Sequence, residues 1–359
     1  MSDRVSQALD VQRQALARRI VARIYELRTG VCAGEHKDRP CSDEKGREKS
    51  LQDVNYHLSY LSEAIAASDP SLFLDYVAWV KVLFAGLQFP EDALRVTLEC
   101  TREVLGEALP EEVVAVTGEY LDAGLAQLAQ VPSALPTLIP PGSPLAELAR
   151  RYLNALLQGE RSVANRLILD AVEDGASVKD VYLYVFQRCQ HEIGRLWQMN
   201  QISVAQEHYC TAATQLIMSQ LYPHIFATER VGRRLVAACV GGELHEIGVR
   251  MVADFFEMEG WDTYYVGANT PADTVLHIVE ERQADVLGIS ATMTFHVRAV
   301  AELIERVRLS DVGAGVKILV GGYPFNAAPG LWRQLGADGW AHDAQEAIAV
   351  ANQLVAEGA

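Results

Sequence analysis

The change of period near residue 232 constrains the fold more than any other feature of this chain. From there on, short β-rich runs, RLVAACV, TYYVG, DVLGIS, KILVGG and the weaker GWAHD, alternate with amphipathic helical stretches. Five strands separated by helices predict an open parallel α/β sheet of flavodoxin-like (Rossmann-type) order, because each parallel crossover needs a helix to return the chain. Upstream the period is helical throughout. Leu51, Val54, Leu58, Leu61 and Ile65 recur at helical spacing, as do Tyr76, Val80, Leu83 and Phe84. Four further stretches, LAELARRYLNALLQG, RSVANRLILDAVEDG, SVKDVYLYVFQRCQHEIGRLWQMN and SVAQEHYCTAATQLIMSQLYPHIF, read as a four-helix bundle with short Gly or Asn breaks. The expected architecture is multidomain: an all-α domain over 1–130, a Pro-rich extended linker over 131–144, the bundle over 145–230 and the α/β domain over 231–359. The polar stretch 29–49 buries little and is expected to be a mobile loop.

Charge and composition remove several function classes. A net charge of −16 over 359 residues argues against a surface for nucleic-acid backbone, which needs clustered Lys and Arg. Charges interrupt every apolar run well before the ~18–20 residues of a membrane span. The start, MSDRVSQALDVQRQALARR, has no signal-peptide pattern, so the expected address is cytoplasmic. The six cysteines are scattered without metal-ligand pairing and are expected to be thiols.

Ligands of open parallel sheets sit at the carboxyl ends of the strands. After the first strand this chain places Gly242-Glu243-Leu244-His245-Glu246-Ile247-Gly248, after the third Ser290-Ala291-Thr292-Met293-Thr294, and after the fourth Gly321-Gly322-Tyr323. A histidine on the first of these loops can reach a metal, and Glu243 can accept a hydrogen bond from its other ring nitrogen. Gly248 permits close backbone approach to a large ligand, the Ser290 and Thr292 hydroxyls offer neutral hydrogen bonds, and the glycine pair leaves space beside the sheet.

The three elements E-x-H-x-x-G, S-x-T and G-G, each after its own strand, resemble the signature of cobalamin-binding domains. The resemblance covers roughly 232–359. It implies that His245 replaces the cofactor's own benzimidazole below the cobalt. The displaced nucleotide tail is then expected near Ser290, Thr292, Gly321 and Gly322, with Leu244, Gly248 and Tyr323 in the same cofactor site. Glu243 stands where that family more often has Asp.

In the bundle, Trp197 ends one helix and Glu207-His208 opens the next, across the helix-breaking MNQIS. An indole face beside two hydrogen-bonding groups suits a nucleoside. The spacing resembles the W-x9-E-H motif of CarH-type photoreceptors, in which these positions cap the 5′-deoxyadenosyl group. That resemblance implies an adenosylcobalamin-based light sensor, not an enzyme, with a homo-oligomer whose state changes in light and an effector the sequence does not name. Two features depart from it. Gln198 stands where the family has the histidine that ligates cobalt after illumination, which leaves His208 or His191 as substitutes, and the all-α domain over 1–130 has no winged-helix DNA-binding signature. The rival reading is a corrinoid carrier that shuttles a methyl group between methyltransferase partners; a methyl group does not need the Trp197–Glu207–His208 triplet. An adenosylcobalamin radical enzyme would need a substrate barrel of about 250 residues, and the upstream blocks lack strands.

The N-terminal block concentrates Tyr56, His57, Tyr60, Phe73, Tyr76, Trp79, Phe84 and Phe89 in one stretch. Such a cluster is either an aromatic helical core or a pocket for a planar chromophore. It is similar to the N-terminal region of photocobilins, which implies a noncovalent bilin such as biliverdin, walled by Tyr56, Tyr60, Tyr76 and Trp79 and hydrogen-bonded by His57. Tyr56 and His57 are adjacent, so on a helix they point about 100° apart.

Overall fold

The computed structural model describes residues 2–29, 44–313 and 315–357. The chain divides into two compact units, residues 1–134 and 135–359.

The first unit consists of α1 (Ser2–Thr29), α2 (Glu44–Ala66), α3 (Pro70–Gly86), α4 (Ala93–Ala108) and α5 (Glu111–Leu128). On α2 the apolar stripe Val54, Leu58, Leu61 and Ile65 is buried, each side chain contributing about 1.5–3 kcal/mol. Asp69 starts α3: its carboxylate accepts from Ser71 N at 2.9 Å, and Pro70 occupies the first turn, where no backbone donor is required. Helix α2 already begins at Glu44, so residues 44–49 are helical and not part of the expected loop. Their Glu, Lys and Arg are strong helix formers, and low hydropathy alone did not reveal that. Thr29 ends α1, and residues 30–43 of that expected loop, with Cys32 and Cys41, lie outside the described residues. Cys100, Cys189, Cys210 and Cys239 are buried free thiols.

The second unit opens with the bundle: α6 (Ala146–Leu157), α7 (Arg161–Glu173), a third helix and α10 (Val204–Gln220), followed by the short α11 (Tyr222–Ile225). The third helix runs from α8 (Val178–Val181) through a π-helical turn (Tyr182–Gln187) into α9 (Arg188–Gln198). Asn200, at φ 55°, turns the chain out of α9. Ser203 and Gln206 then form a reciprocal capping box that starts α10. The Pro-rich segment before the bundle is not a free tether: Ile139 is buried in the bundle core.

The sheet follows as β1 (Arg234–Val240), β2 (Asp262–Thr270), β3 (Val286–Ser290), β4 (Lys317–Gly321) and β5 (Gly339–Ala341). All pairings are parallel and the order is β2-β1-β3-β4-β5, the flavodoxin-like order that the alternation predicts. Helix α12 (Ile247–Met258) follows β1, and α13 (Ala272–Arg282), α14 (Val297–Leu309) and, after the short α15 (Tyr323–Ala327) and α16 (Leu331–Gln334), α17 (Ala344–Glu357) are the other long crossover and flanking helices. Beyond Arg234, β1 is buried throughout, as a strand covered on both faces must be. Strand order reverses between β1 and β3, so the loops after these two strands flank the crevice where such sheets bind ligands. Among the described residues, no helix is long and apolar enough to cross a membrane.

Candidate functional site

The two loops at this crevice are joined through one carboxylate. Glu243 is fully buried. Its Oε1 accepts from His245 Nδ1 at 2.6 Å and from His245 N at 3.0 Å. Its Oε2 accepts from Thr292 N at 2.7 Å, from Met293 N at 3.0 Å and from His296 Nδ1 at 3.1 Å. Burial alone would raise its pKa, but these hydrogen bonds outweigh it and hold the carboxyl far below the usual carboxylate range. The permanent anion fixes the His245 tautomer: Nδ1 carries the proton, and Nε2 presents a lone pair. The His245 side chain is 57 % exposed. Its hydrogen bond to Glu243 raises the pKa, against desolvation; the charges of Glu243 and Glu207 raise it further. A basic Nε2 on a largely exposed ring, with its partner nitrogen locked, is able to donate to a metal ion.

The residues around it fit a bulky cofactor. A side chain added at Gly248 would meet nothing within 4 Å, so the start of α12 is open. Leu244 and Tyr323 are large exposed apolar residues beside the same loops. Ser290 and Gly321 pair in register at the ends of β3 and β4, with Thr292 two residues on. The glycine pair acts differently from expectation. At Gly322, φ is 106° and a Cβ would lie 2.0 Å from Ala291 O, so this glycine draws the loops after β3 and β4 together. At Gly321 a Cβ would stand 3.4 Å from Ala341 O.

In the bundle, Trp197 packs half-buried against the core at the end of α9, Gln198 is buried, and Glu207 lies in the first turn of α10. Glu207 Oε2 meets His208 Nδ1 at 2.5 Å, and Thr211 Oγ1 donates to its Oε1 at 3.0 Å. The His208 side chain is 75 % exposed. The charge of Glu207 contributes to the raised pKa of His245. His191 on α9 is lowered by desolvation and by the charges of Arg188 and His342, the latter in the loop after β5.

Two functional residues escaped the sequence reading. His296, at the end of a 3-10 turn, holds the second oxygen of Glu243. Only its place six residues after Ser290, on a loop already flagged, could have signalled it. Glu246 holds the bundle to the sheet: it accepts from Gln215 Nε2 of α10 at 2.7 Å, from Tyr265 OH at 2.8 Å and from Ala268 N at 3.1 Å. Arg250 adds bonds to Gln215 O and Ser219 Oγ. Nothing in the local sequence announces that long-range pairing.

In the first unit the aromatic cluster closes on itself. Tyr60 stacks on Tyr76 with ring centroids 3.6 Å apart, Tyr76 lies 6.5 Å from Trp79, and His57 Nδ1 is 2.7 Å from Tyr76 OH. His57 is 5 % exposed whereas Tyr56 is 44 % exposed, as their divergent directions on α2 require.

Comparison with known proteins bears on the second unit. Residues 233–349 and residues 148–222 each match a B12 binding domain family. A corrinoid protein of Desulfitobacterium hafniense is 24 % identical over 206 residues, 56 % of this chain and 94 % of that one. Dimethylamine corrinoid protein 2 of Methanosarcina mazei is 31 % identical over 146 residues, 40 % of this chain and 66 % of that one. The solved monomethylamine corrinoid protein of Methanosarcina barkeri aligns with a TM-score of 0.53 at 20 % identity, over 59 % of this chain and all of that one, which is a likeness of fold. The bundle and the sheet are thus the two parts of a B12-binding module, and the chain is a cobalamin-binding protein.

Proposed function

We propose that the module holds a corrinoid over the carboxyl edge of the sheet, with His245 Nε2 as the ligand below the cobalt. The observation that carries this is the buried Glu243 carboxylate, which locks Nδ1 and leaves Nε2 exposed. On the same reading Ser290, Thr292, Gly321 and Gly322 border the nucleotide tail, and Leu244, Gly248 and Tyr323 lie at the corrin edge. When bound, the cobalt supplies a bond to carbon that can pass a methyl group to a nucleophile or, with an adenosyl group in place, part under light.

The role with the wider support is that of a corrinoid carrier, presenting a methyl group to methyltransferase partners. Its support is the likeness to dimethylamine corrinoid proteins over the module. The chain's own part is to hold His245 in one tautomer, to cover the upper face with the bundle, and to keep bundle and sheet joined through Glu246 and Arg250.

A second reading, an adenosylcobalamin light sensor, has its own observation. Glu207 is fixed by Thr211 and His208 at the head of α10, and its charge reaches His245. With the Trp197 indole it offers a stacking face and acceptors for a ribose, which a methyl group leaves unused. Loss of that nucleoside would remove a packing partner of α9 and α10 and shift a homo-oligomer between states. Gln198 carries no imidazole, so on this reading water, His208 or His191 takes the upper position after illumination. The reading extends to the helical unit, where a bilin among Tyr60, Tyr76 and Trp79 would take the His57 hydrogen bond from Tyr76. Added biliverdin then gives a red-shifted, sharpened band that survives gel filtration; without such a band the cluster is core alone.

Loading wild type and Trp197→Ala with methylcobalamin and with adenosylcobalamin separates the two roles. Equal losses for both cofactors favour the carrier. A loss confined to adenosylcobalamin, with a light-dependent change of elution volume in the wild type, favours the sensor. Retention of neither cofactor by the wild type overturns the corrinoid reading.

A further inference from the structure

A hydrogen-bonded chain runs from Glu207, at the head of α10, into the centre of the bundle. Thr211, one turn further along α10, donates to Glu207 Oε1 at 3.0 Å, and the same hydroxyl reaches Gln190 Oε1 of α9 at 3.3 Å. The other end of that amide, Gln190 Nε2, donates to Thr214 Oγ1 at 2.8 Å, and Thr214 Oγ1 lies 2.9 Å from Tyr152 OH of α6. Tyr152 and Thr214 are fully buried. Polar groups so far from water need partners, and here three helices supply them to one another.

Gln190 is the hub of this chain. Its planar amide presents an acceptor and a donor at opposite ends, one to each threonine, so an amide fixed by Thr214 and Tyr152 also fixes Thr211. Thr211 in turn holds one oxygen of Glu207, and His208 Nδ1 meets the other. A carboxylate has about four lone pairs, divided between its two oxygens. These two bonds use one on each oxygen, and the Glu207 side chain is 29 % exposed. It offers a ligand two acceptors at a set angle, the pattern that adjacent hydroxyls match.

We infer that Gln190 and Thr211, braced by Thr214 and Tyr152, are positioning residues that aim the Glu207 carboxylate and so set a preference for an adenosyl over a methyl group above the cobalt. The inference rests on the nucleoside reading of Trp197, Glu207 and His208 given above. The four residues act through the orientation of Glu207. A carboxylate held in place before the ligand arrives spares the ordering that binding would otherwise require. A methyl group has no hydroxyl to present, so that advantage falls to the adenosyl form.

The test titrates the full chain with adenosylcobalamin and with methylcobalamin in the dark, follows absorbance, and reads the ratio of the two dissociation constants. Thr211→Val keeps the shape of the side chain and removes its hydroxyl; Gln190→Leu does the same for the amide. Each is expected to weaken adenosylcobalamin about fivefold or more relative to methylcobalamin, the order of one net hydrogen bond. Thr211→Ser restores the wild-type ratio. On a Glu207→Ala background Thr211→Val shifts the ratio no further, because its effect passes through that carboxylate. Losses that add in the double variant overturn the inference. So does a wild-type ratio in Thr211→Val when Glu207→Ala lowers the preference. Should Gln190→Leu lose methylcobalamin as well, the Thr211 variants decide alone. A preference that survives Glu207→Ala overturns the nucleoside reading, and retention of neither form by the wild type overturns the corrinoid reading; each takes the inference with it, and the titrations tell the two apart.

Discussion

Two histidines, one in each unit, use the same ring nitrogen and reach opposite ends. His57 Nδ1 lies 2.7 Å from a tyrosine hydroxyl, and His245 Nδ1 lies 2.6 Å from a carboxylate. Tyr76 and the packed rings around it enclose His57, and burial pushes its pKa down to about 4. Glu243 is an anion under every ordinary condition, so it raises His245 and leaves the far nitrogen facing outward. A neutral partner in a closed site makes the first imidazole a core residue. An ionised partner at an open strand end leaves the second half-exposed with its far nitrogen unprotonated, as the proposed ligand role needs. The chemistry of the group behind the ring, and the exposure of the nitrogen in front of it, decide the role.

Removing the two rings breaks the comparison most directly. His245→Ala is expected to weaken cobalamin retention by ~100-fold or more, since the ligand itself goes and second-sphere losses alone reach that range. His57→Ala should leave retention unchanged and lower only the unfolding transition of the first unit. Equilibrium dialysis with hydroxocobalamin, beside thermal unfolding, reads both; equal loss of retention in the two variants would erase the distinction.

Acid comes next. The folded value of His57 lies below its ordinary value of 6.5, so the neutral ring contributes stability that is complete above pH 6.5. That contribution is lost as pH falls from 6.5 through about 4, a total of about 3 kcal/mol at 1.36 kcal/mol per unit. Denaturant unfolding of the first unit at pH 7 and pH 4 measures it, and His57→Gln should flatten the slope. An equal slope in that variant would mean that another group carries the acid sensitivity.

His296→Ala sharpens the other side. Glu243 then keeps the His245 ring and three backbone donors but loses an imidazole, and retention should fall about tenfold. Wild-type retention would show that the backbone donors suffice. The smallest effect belongs to Tyr76→Phe, which leaves the buried Nδ1 of His57 without its hydroxyl at a cost of about 1–2 kcal/mol to the first unit, read from the same unfolding curves.

The fold was legible in the sequence because period is a local property. The β-rich runs after residue 232 fixed five strands, and right-handed parallel crossovers leave few ways to order them. The helix α2 was legible in its apolar stripe but not in its first turn, where charged helix formers look like loop. The loops bearing Glu243, His245 and Thr292 could be placed at one edge because strand ends in such a sheet converge. Local pattern does not reach contacts made across 49 to 55 residues of chain, such as Glu243 with Thr292 N or Glu192 with Thr137. Tertiary structure alone made Glu243 a shared anchor for two loops, turned Gly322 from a spacer into a point of close approach, and buried Ile139 of the segment that reads as an extended linker in the bundle core. The reason is common to all three. Hydrogen bonds and backbone approaches between distant segments depend on where the packed core sets those segments, and apolar spacing records which residues enter the core but not which polar groups it brings together.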